Sequence, residues 1–139
     1  MFVELITSEG SAFSGEAVSV TLPSGDGEIT VLGKHVPLLS TVVPGTVIVR
    51  TRDDEQYFAV TRGVVQVGGD AIRILSDIAD RAESLQEEAI EVAKKRAEDL
   101  LAARRTDSEE FADARATLER EIARITTIHR LRSNRRRRV

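Results

Sequence analysis

The chain has 139 residues, with 20 Lys and Arg against 23 Asp and Glu, two His, no Cys and no Trp. The missing cysteine excludes a disulfide framework, thiolate zinc or iron–sulfur sites and a cysteine nucleophile, and two histidines are too few for most histidine metal centres. No apolar run approaches the roughly 20 residues of a membrane-spanning helix, and the opening MFVELITSEG lacks the basic start and apolar core of a signal peptide, so a soluble chain that stays where it is made is expected.

The charge is divided along the chain. Residues 1–83 hold 6 basic and 12 acidic side chains, net −6, whereas residues 84–139 hold 14 basic and 11 acidic, net +3. All nine Gly and all three Pro lie at or before Gly69. Two architectures are therefore joined, a strand-rich unit over 1–83 and a helical unit over 84–139.

In the first unit apolar, largely β-branched residues alternate with polar ones, as in Phe2-Val3-Glu4-Leu5-Ile6-Thr7 and Thr46-Val47-Ile48-Val49-Arg50. Period two with β-branching predicts half-buried strands, here near 2–7, 12–22, 28–32, 38–43, 46–51, 56–61, 64–67 and 71–75. Turn chemistry separates them at Ser24-Gly25-Asp26-Gly27, Pro44-Gly45, Asp53-Asp54-Glu55, Thr61-Arg62-Gly63 and Gly68-Gly69-Asp70. Connections this short admit only antiparallel neighbours, because a parallel crossover needs a dozen or more residues. The fold class expected is α+β, an N-terminal antiparallel β-sandwich or flattened barrel followed by helices.

After Asp77 the period changes. Leu85, Ala89, Val92, Ala97 and Leu100 form a stripe at helical spacing, and Ser84 with Glu87 three residues on reads as a capping box. A break is expected at Thr106-Asp107-Ser108, where Asp107 and Glu110 repeat the device. The second stripe runs through Phe111, Ala114, Leu118, Ile122, Ile125 and His129. Helices of about 21 and 25 residues, roughly 31 and 37 Å long, make an antiparallel two-helix hairpin. Its narrow, Ala-rich seams bury too little to be stable alone, so it must dock on the sandwich, on a partner, or on each in turn.

No catalytic constellation emerges. There is no phosphate-binding GxxxxGK, no GxGxxG after a strand and no GxSxG elbow. His35 has no carboxylate close in sequence and reads as a loop or interface residue, His129 as a seam residue, and Asp53-Asp54-Glu55 as a solvated hairpin tip. No cofactor or metal is expected. The run Arg130-Leu131-Arg132-Ser133-Asn134-Arg135-Arg136-Arg137-Arg138 is either solvated or meets an acidic surface. With only Phe111 as an aromatic neighbour in the helical half, nucleic acid is the less favoured partner.

The stretch Gly27-Glu28-Ile29-Thr30-Val31-Leu32-Gly33-Lys34-His35-Val36-Pro37-Leu38-Leu39 resembles the "GEIGILPGHAPLL" segment of the epsilon subunit of bacterial and chloroplast F-type ATP synthases. Further similarities follow in family order: Phe13-Ser14-Gly15, then Phe58-Ala59-Val60-Thr61-Arg62-Gly63-Val64-Val65-Gln66-Val67 like "FVSGGFLEV", then Ile74-Leu75-Ser76-Asp77-Ile78-Ala79-Asp80-Arg81-Ala82-Glu83 like "ILADTAERAE". The resemblance covers residues 2 to about 100.

It implies a ten-stranded sandwich and helical hairpin in a non-catalytic rotor subunit. The sandwich would bind the gamma subunit and rest on the c-ring, helping to transmit torque from proton flow, on the cytoplasmic face of the bacterial membrane or the stromal face of the chloroplast thylakoid. Glu28 would face the polar loops of the c-ring, with His35 at the stalk base. An extended hairpin would reach the alpha and beta subunits and inhibit ATP hydrolysis, with Arg115, Arg120, Arg124, Arg130 and Arg132 as the contacts to an acidic segment of beta. Thr30, Gly33 and Lys34 replace the usual Gly, Pro and Gly, and Arg62 replaces the first glycine of the "SGGF" pair. The stretch Leu85-Gln86-Glu87-Glu88-Ala89-Ile90 lacks the aspartate and arginine of the family's "IDxxRA" nucleotide motif, so no ATP site of that kind is expected. The alternative is a free-standing sandwich module whose basic helical tail binds an acidic protein or nucleic acid.

Overall fold

A computed structural model describes residues 1–103 and 109–137. The expected break at Thr106-Asp107-Ser108 and the side chain of Glu110 lie outside the described residues. Ten strands precede the helices: β1 (Phe2–Thr7), β2 (Gly10–Glu16), β3 (Ser19–Ser24), β4 (Gly27–Leu32), β5 (Leu38–Val42), β6 (Gly45–Arg50), β7 (Glu55–Val60), β8 (Gly63–Gly68), β9 (Ala71–Ser76) and β10 (Ala79–Arg81). They form two layers, β4-β3-β6-β7-β10 and β5-β8-β9-β1-β2, joined where Ser24 of β3 pairs with Val42 of β5. Between the layers lies one aliphatic core, including Val3, Leu5, Val20, Leu22, Val31, Val49, Ile72 and Ile74. Phe58 is its largest side chain, with Phe13 edge-on at 6.3 Å and the Arg81 guanidinium 5.8 Å from its ring centre.

The expected sandwich forms, with three differences. The single strand expected over 12–22 is two, because the chain changes sheets at Ala17-Val18. Glu16 pairs with Phe2 of β1, while Ser19 already pairs with Arg50 of β6. Apolar alternation continues through the crossing and conceals it. The sandwich is not wholly antiparallel either, since β1 runs parallel to β9 from Phe2↔Ala71 to Ile6↔Leu75. Connection length constrains strands that are consecutive in sequence, and these two are not. The third difference is β10, a three-residue strand on the edge of β7 that carries too few residues to show a period.

A 3₁₀ turn (Ala82–Ser84) leads into α1 (Glu87–Ala103) and α2 (Glu109–Arg137). The helices have 17 and 29 residues, the second longer than its apolar stripe because the Arg-rich run continues it. The capping box at Ser84 does not form: Ser84 belongs to the 3₁₀ turn, where its hydroxyl donates to the Arg81 carbonyl at 2.8 Å. Among the described side chains of α1, Ile90 and Ala97 are buried, and Val92 of the expected stripe is 60% exposed. Ile90 turns inward because it meets Ile125 and Ile128 of α2, with Leu85 beside them. On α2, Ala114 and Ile125 are buried as the stripe predicts, whereas Ile122 is exposed. The reason is that α2 has two partners, α1 on one side and the sandwich on the other.

Candidate functional site

The outward residues of β6 and β7 explain where the hairpin docks. Ile48 and Tyr57 stand opposite each other in the ladder and point away from the sandwich core. Both are nonetheless buried, in a cluster with Ala82 and Leu131 of α2. One turn earlier, the buried hydroxyls of Thr46 and Thr127 lie 2.8 Å apart, and Thr127 also donates to the Ala123 carbonyl at 2.8 Å. Asn134 donates to the Tyr57 hydroxyl, which donates to Glu55 Oε2 at 2.7 Å. Burial is the main influence that raises the Tyr57 pKa.

Ion pairs surround this contact. Arg124 Nε and Nη2 reach Asp80 Oδ2 at 2.8 and 2.7 Å, while Arg124 Nη1 donates to Glu121 at 2.9 Å. Glu121 is 2% exposed, held by Arg124 and Arg120, and its Oε2 has no partner among the described residues. Arg130 makes a two-pronged pair with Glu28, at 2.5 and 2.9 Å. Arg135 reaches Glu83 at 3.0 Å, and Arg62 of the sandwich reaches Glu119 of α2 at 3.0 Å. Between the helices, Glu87 accepts from Arg132 at 2.6 Å and lies 3.1 Å from His129 Nε2. His129 thus sits on the exposed rim of the seam. The hydrogen bond with Arg130 holds the Glu28 carboxyl below the usual carboxylate range. Contact with His129, then with Arg132, does the same for Glu87.

The predicted site residues therefore fall into distinct groups. Arg124 and Arg130 bind the sandwich and Arg132 binds α1, while Arg115 and Arg120 pair locally, with Glu119 at 4.0 Å and Glu121 at 3.4 Å. Glu28 and Arg130, assigned to different partners by the resemblance, meet each other. Glu28 and His35 are not brought together: Glu28 is near the start of β4 and His35 lies beyond its end, and the strand between them spans about 13 Å at ~3.3 Å per residue. His35 Nδ1 lies 2.7 Å from the Val36 carbonyl oxygen. Sequence reasoning missed Thr46, Tyr57, Asp80, Thr127 and Asn134. The unbroken apolar runs Val47-Ile48-Val49 and Tyr57-Phe58-Ala59-Val60 were a readable signal of strands covered on both faces.

Two of the unusual residues have structural consequences. Lys34 stands in the left-handed region, with φ 65°, which an L residue with a Cβ adopts at an energetic cost. Arg62, in place of the first glycine, supplies the clamp on Glu119. The second glycine, Gly63, has no alternative, since a Cβ there would lie 1.8 Å from the Leu75 carbonyl oxygen.

The other layer is uncovered. Thr41, Val64, Leu75 and Ile6 form one cross-strand row on its outer face through β5, β8, β9 and β1. Val64 and Leu75 are 42% and 41% exposed, and Leu39, two residues before Thr41 on the same face, is 75% exposed. Val64, Leu75 and Ile6 thus leave a partly exposed apolar strip across β8, β9 and β1. Among the described residues no group of three or more His, Cys, Asp and Glu is placed to hold a metal ion, and no helix is long and apolar enough to cross a membrane.

Fold and site define a two-part protein, a β-sandwich with one sheet face open and a helical hairpin clamped on the other. Residues 1–82 match the family described as ATP synthase, Delta/Epsilon chain, beta-sandwich domain. The ATP synthase epsilon chain of Hydrogenovibrio crunogenus is 41% identical over 132 residues, covering 95% of this chain and 91% of that one. That of Laribacter hongkongensis is 38% identical, covering 95% of each. A chain in the Euglena gracilis mitochondrial ATP synthase assembly of OSCP, F1 and c-ring shares the fold, with TM-score 0.76 at 18% identity over 87% of this chain and 76% of that one. This chain belongs to the ATP synthase epsilon chain family.

Proposed function

We propose that the protein is a non-catalytic subunit of the F-type ATP synthase central stalk, coupling proton flow through the c-ring and gamma to ATP synthesis. The observation that carries this reading is the similarity to bacterial epsilon chains over 95% of the chain, which takes in the hairpin as well as the sandwich. Residues 1–83 serve as the stalk unit. Their open sheet, with Leu39, Val64 and Leu75, fits an apolar face of gamma, and Glu28 and His35 face the c-ring. Residues 84–139 serve as the regulatory unit, a brake on ATP hydrolysis. On release, Arg115, Arg120, Arg124, Arg130 and Arg132 exchange their acidic partners within the chain for acidic groups on the beta subunits. Such exchange sets orientation and association rate more than raw affinity. The protein works as a peripheral component of a membrane-associated complex, on its cytoplasmic face.

The test is capture of the tagged full chain from its native membranes, followed by truncation of residues 107–139. Recovery of alpha, beta, gamma and c subunits is expected, and the truncated enzyme should assemble and hydrolyse ATP faster under ATP-regenerating conditions. Absence of those subunits would remove the stalk assignment, and unchanged hydrolysis would remove the brake.

A further inference from the structure

The Glu28–Arg130 pair joins residues 102 positions apart and uses both carboxylate oxygens. Bidentate guanidinium pairing is among the stronger hydrogen-bonding geometries available to a carboxylate. The pair is also reachable: the Glu28 side chain is 48% exposed and that of Arg130 30%. Arg50, which donates to Thr21 on the neighbouring strand, adds a second positive field at Glu28. A cation approaching from outside therefore meets a carboxylate already neutralised, with two guanidinium groups nearby.

We propose that Glu28 is a shared receptor, for which the Arg130 guanidinium of the docked hairpin and a cationic group of the stalk-base partner compete, so that hairpin docking and partner engagement weaken each other. The proposal rests on the reading above that Glu28 faces the c-ring. The cation that Arg130 supplies within the chain indicates the chemistry of the partner group, a guanidinium or ammonium on a polar loop. A second cation must either displace Arg130 or donate into the two remaining acceptor directions of a carboxylate whose charge Arg130 already offsets. Both lower its affinity. Coupling free energies are reciprocal, so engagement of the partner must loosen α2 by the same factor that docking weakens engagement. The base of the stalk would then report its engagement to the hairpin through one carboxylate.

The chain has no cysteine, so the double substitution Thr46→Cys, Thr127→Cys allows a single disulfide where the two hydroxyls now meet. Oxidation locks the hairpin down and reduction frees it. Binding of the full chain to detergent-solubilised c-ring carrying gamma is then measured in both states. The locked chain should bind about fivefold or more weakly than the reduced chain. Adding Arg130→Ala to the locked chain should restore binding, and Glu28→Gln should bind equally in both states. Without the lock, Arg130→Ala alone should bind more tightly than the native chain, and c-ring binding should speed hydrogen exchange of α2 amides beyond Arg124. Equal binding of locked and reduced chains, with Glu28→Gln weakening both, would overturn the competition and leave the c-ring contact standing. If Glu28→Gln changes binding in neither state while the lock still weakens it, the c-ring contact itself is wrong and the proposal falls with it.

Discussion

The interior of the sandwich and the interface that holds the hairpin are built on different principles. The interior is one continuous cluster of aliphatic side chains around Phe58, several of them wholly buried. The hairpin is held by a four-residue apolar cluster, a pair of hydroxyls and a ring of ion pairs. Separating the layers of the sandwich would expose mainly apolar surface, which water penalises at about 25 cal/mol per Å². Lifting the hairpin would expose hydroxyls and charges that water accepts, beside one small apolar cluster. The first region is a permanent scaffold, and the second is an interface whose separated state is tolerable.

The largest effect expected from breaking this comparison is at Phe58, which fills the interior. Phe58→Ala should cost about 3–5 kcal/mol and lower the unfolding midpoint of sandwich and hairpin together, as measured by chemical denaturation. Leu131→Ala, at the centre of the hairpin contact, should cost about 2–3 kcal/mol. Its loss should be confined to the hairpin, with hydrogen exchange rising along α2 while the β-strand amides stay protected. If Leu131→Ala destabilised the strands as much as Phe58→Ala, the distinction between scaffold and movable interface would be wrong.

The two hydroxyls sharpen the same point on a smaller scale. Thr127→Val leaves the buried Thr46 hydroxyl without its partner and should cost about 1–2 kcal/mol of docking. Thr46→Val with Thr127→Val removes both hydroxyls at nearly constant volume and should recover most of that loss. A double-mutant cycle read by hairpin exchange rates would measure the coupling.

The same difference decided what could be read in advance. On strands β8 and β9 burial alternates residue by residue, with Val65, Val67, Ile72 and Ile74 inward and Val64, Gln66, Arg73 and Leu75 outward, because one of their faces stays open. Strands β6 and β7 carry apolar residues on both faces, and period two alone does not say what covers the second one. The sheet crossing at Ala17-Val18 and the parallel pairing of β1 with β9 depend on strands far apart in the chain, so no local pattern carries them. The helices were legible as helices, but the seam on α1 was displaced, since Ile90 and Val92 are equally apolar and only the position of Ile125 and Ile128 selects between them. Glu28 and Arg130 could each be singled out from the sequence. Their mutual pairing could not, because a charge run does not name its partner.

The smallest expected effect concerns pH and follows from that pairing. Glu28 and Glu87 both have carboxyl pKa values lowered in the folded chain, by Arg130 in one case and by His129 and Arg132 in the other. A lowered folded-state value means that the unfolded or undocked carboxyl binds its proton first as pH falls. The stabilisation is therefore complete above the ordinary glutamate value of about 4.3 and is lost as pH drops through and below it. Neither pair contributes to the aliphatic interior, so exchange along α2 and at the α1 seam should rise between about pH 4.5 and 3 while the amides of β8 and β9 remain protected. Glu28→Gln should remove part of this pH dependence from α2 and leave the α1 seam unchanged. Simultaneous loss of protection in strands and helices would mean that the ion pairs around the hairpin do not set its acid sensitivity.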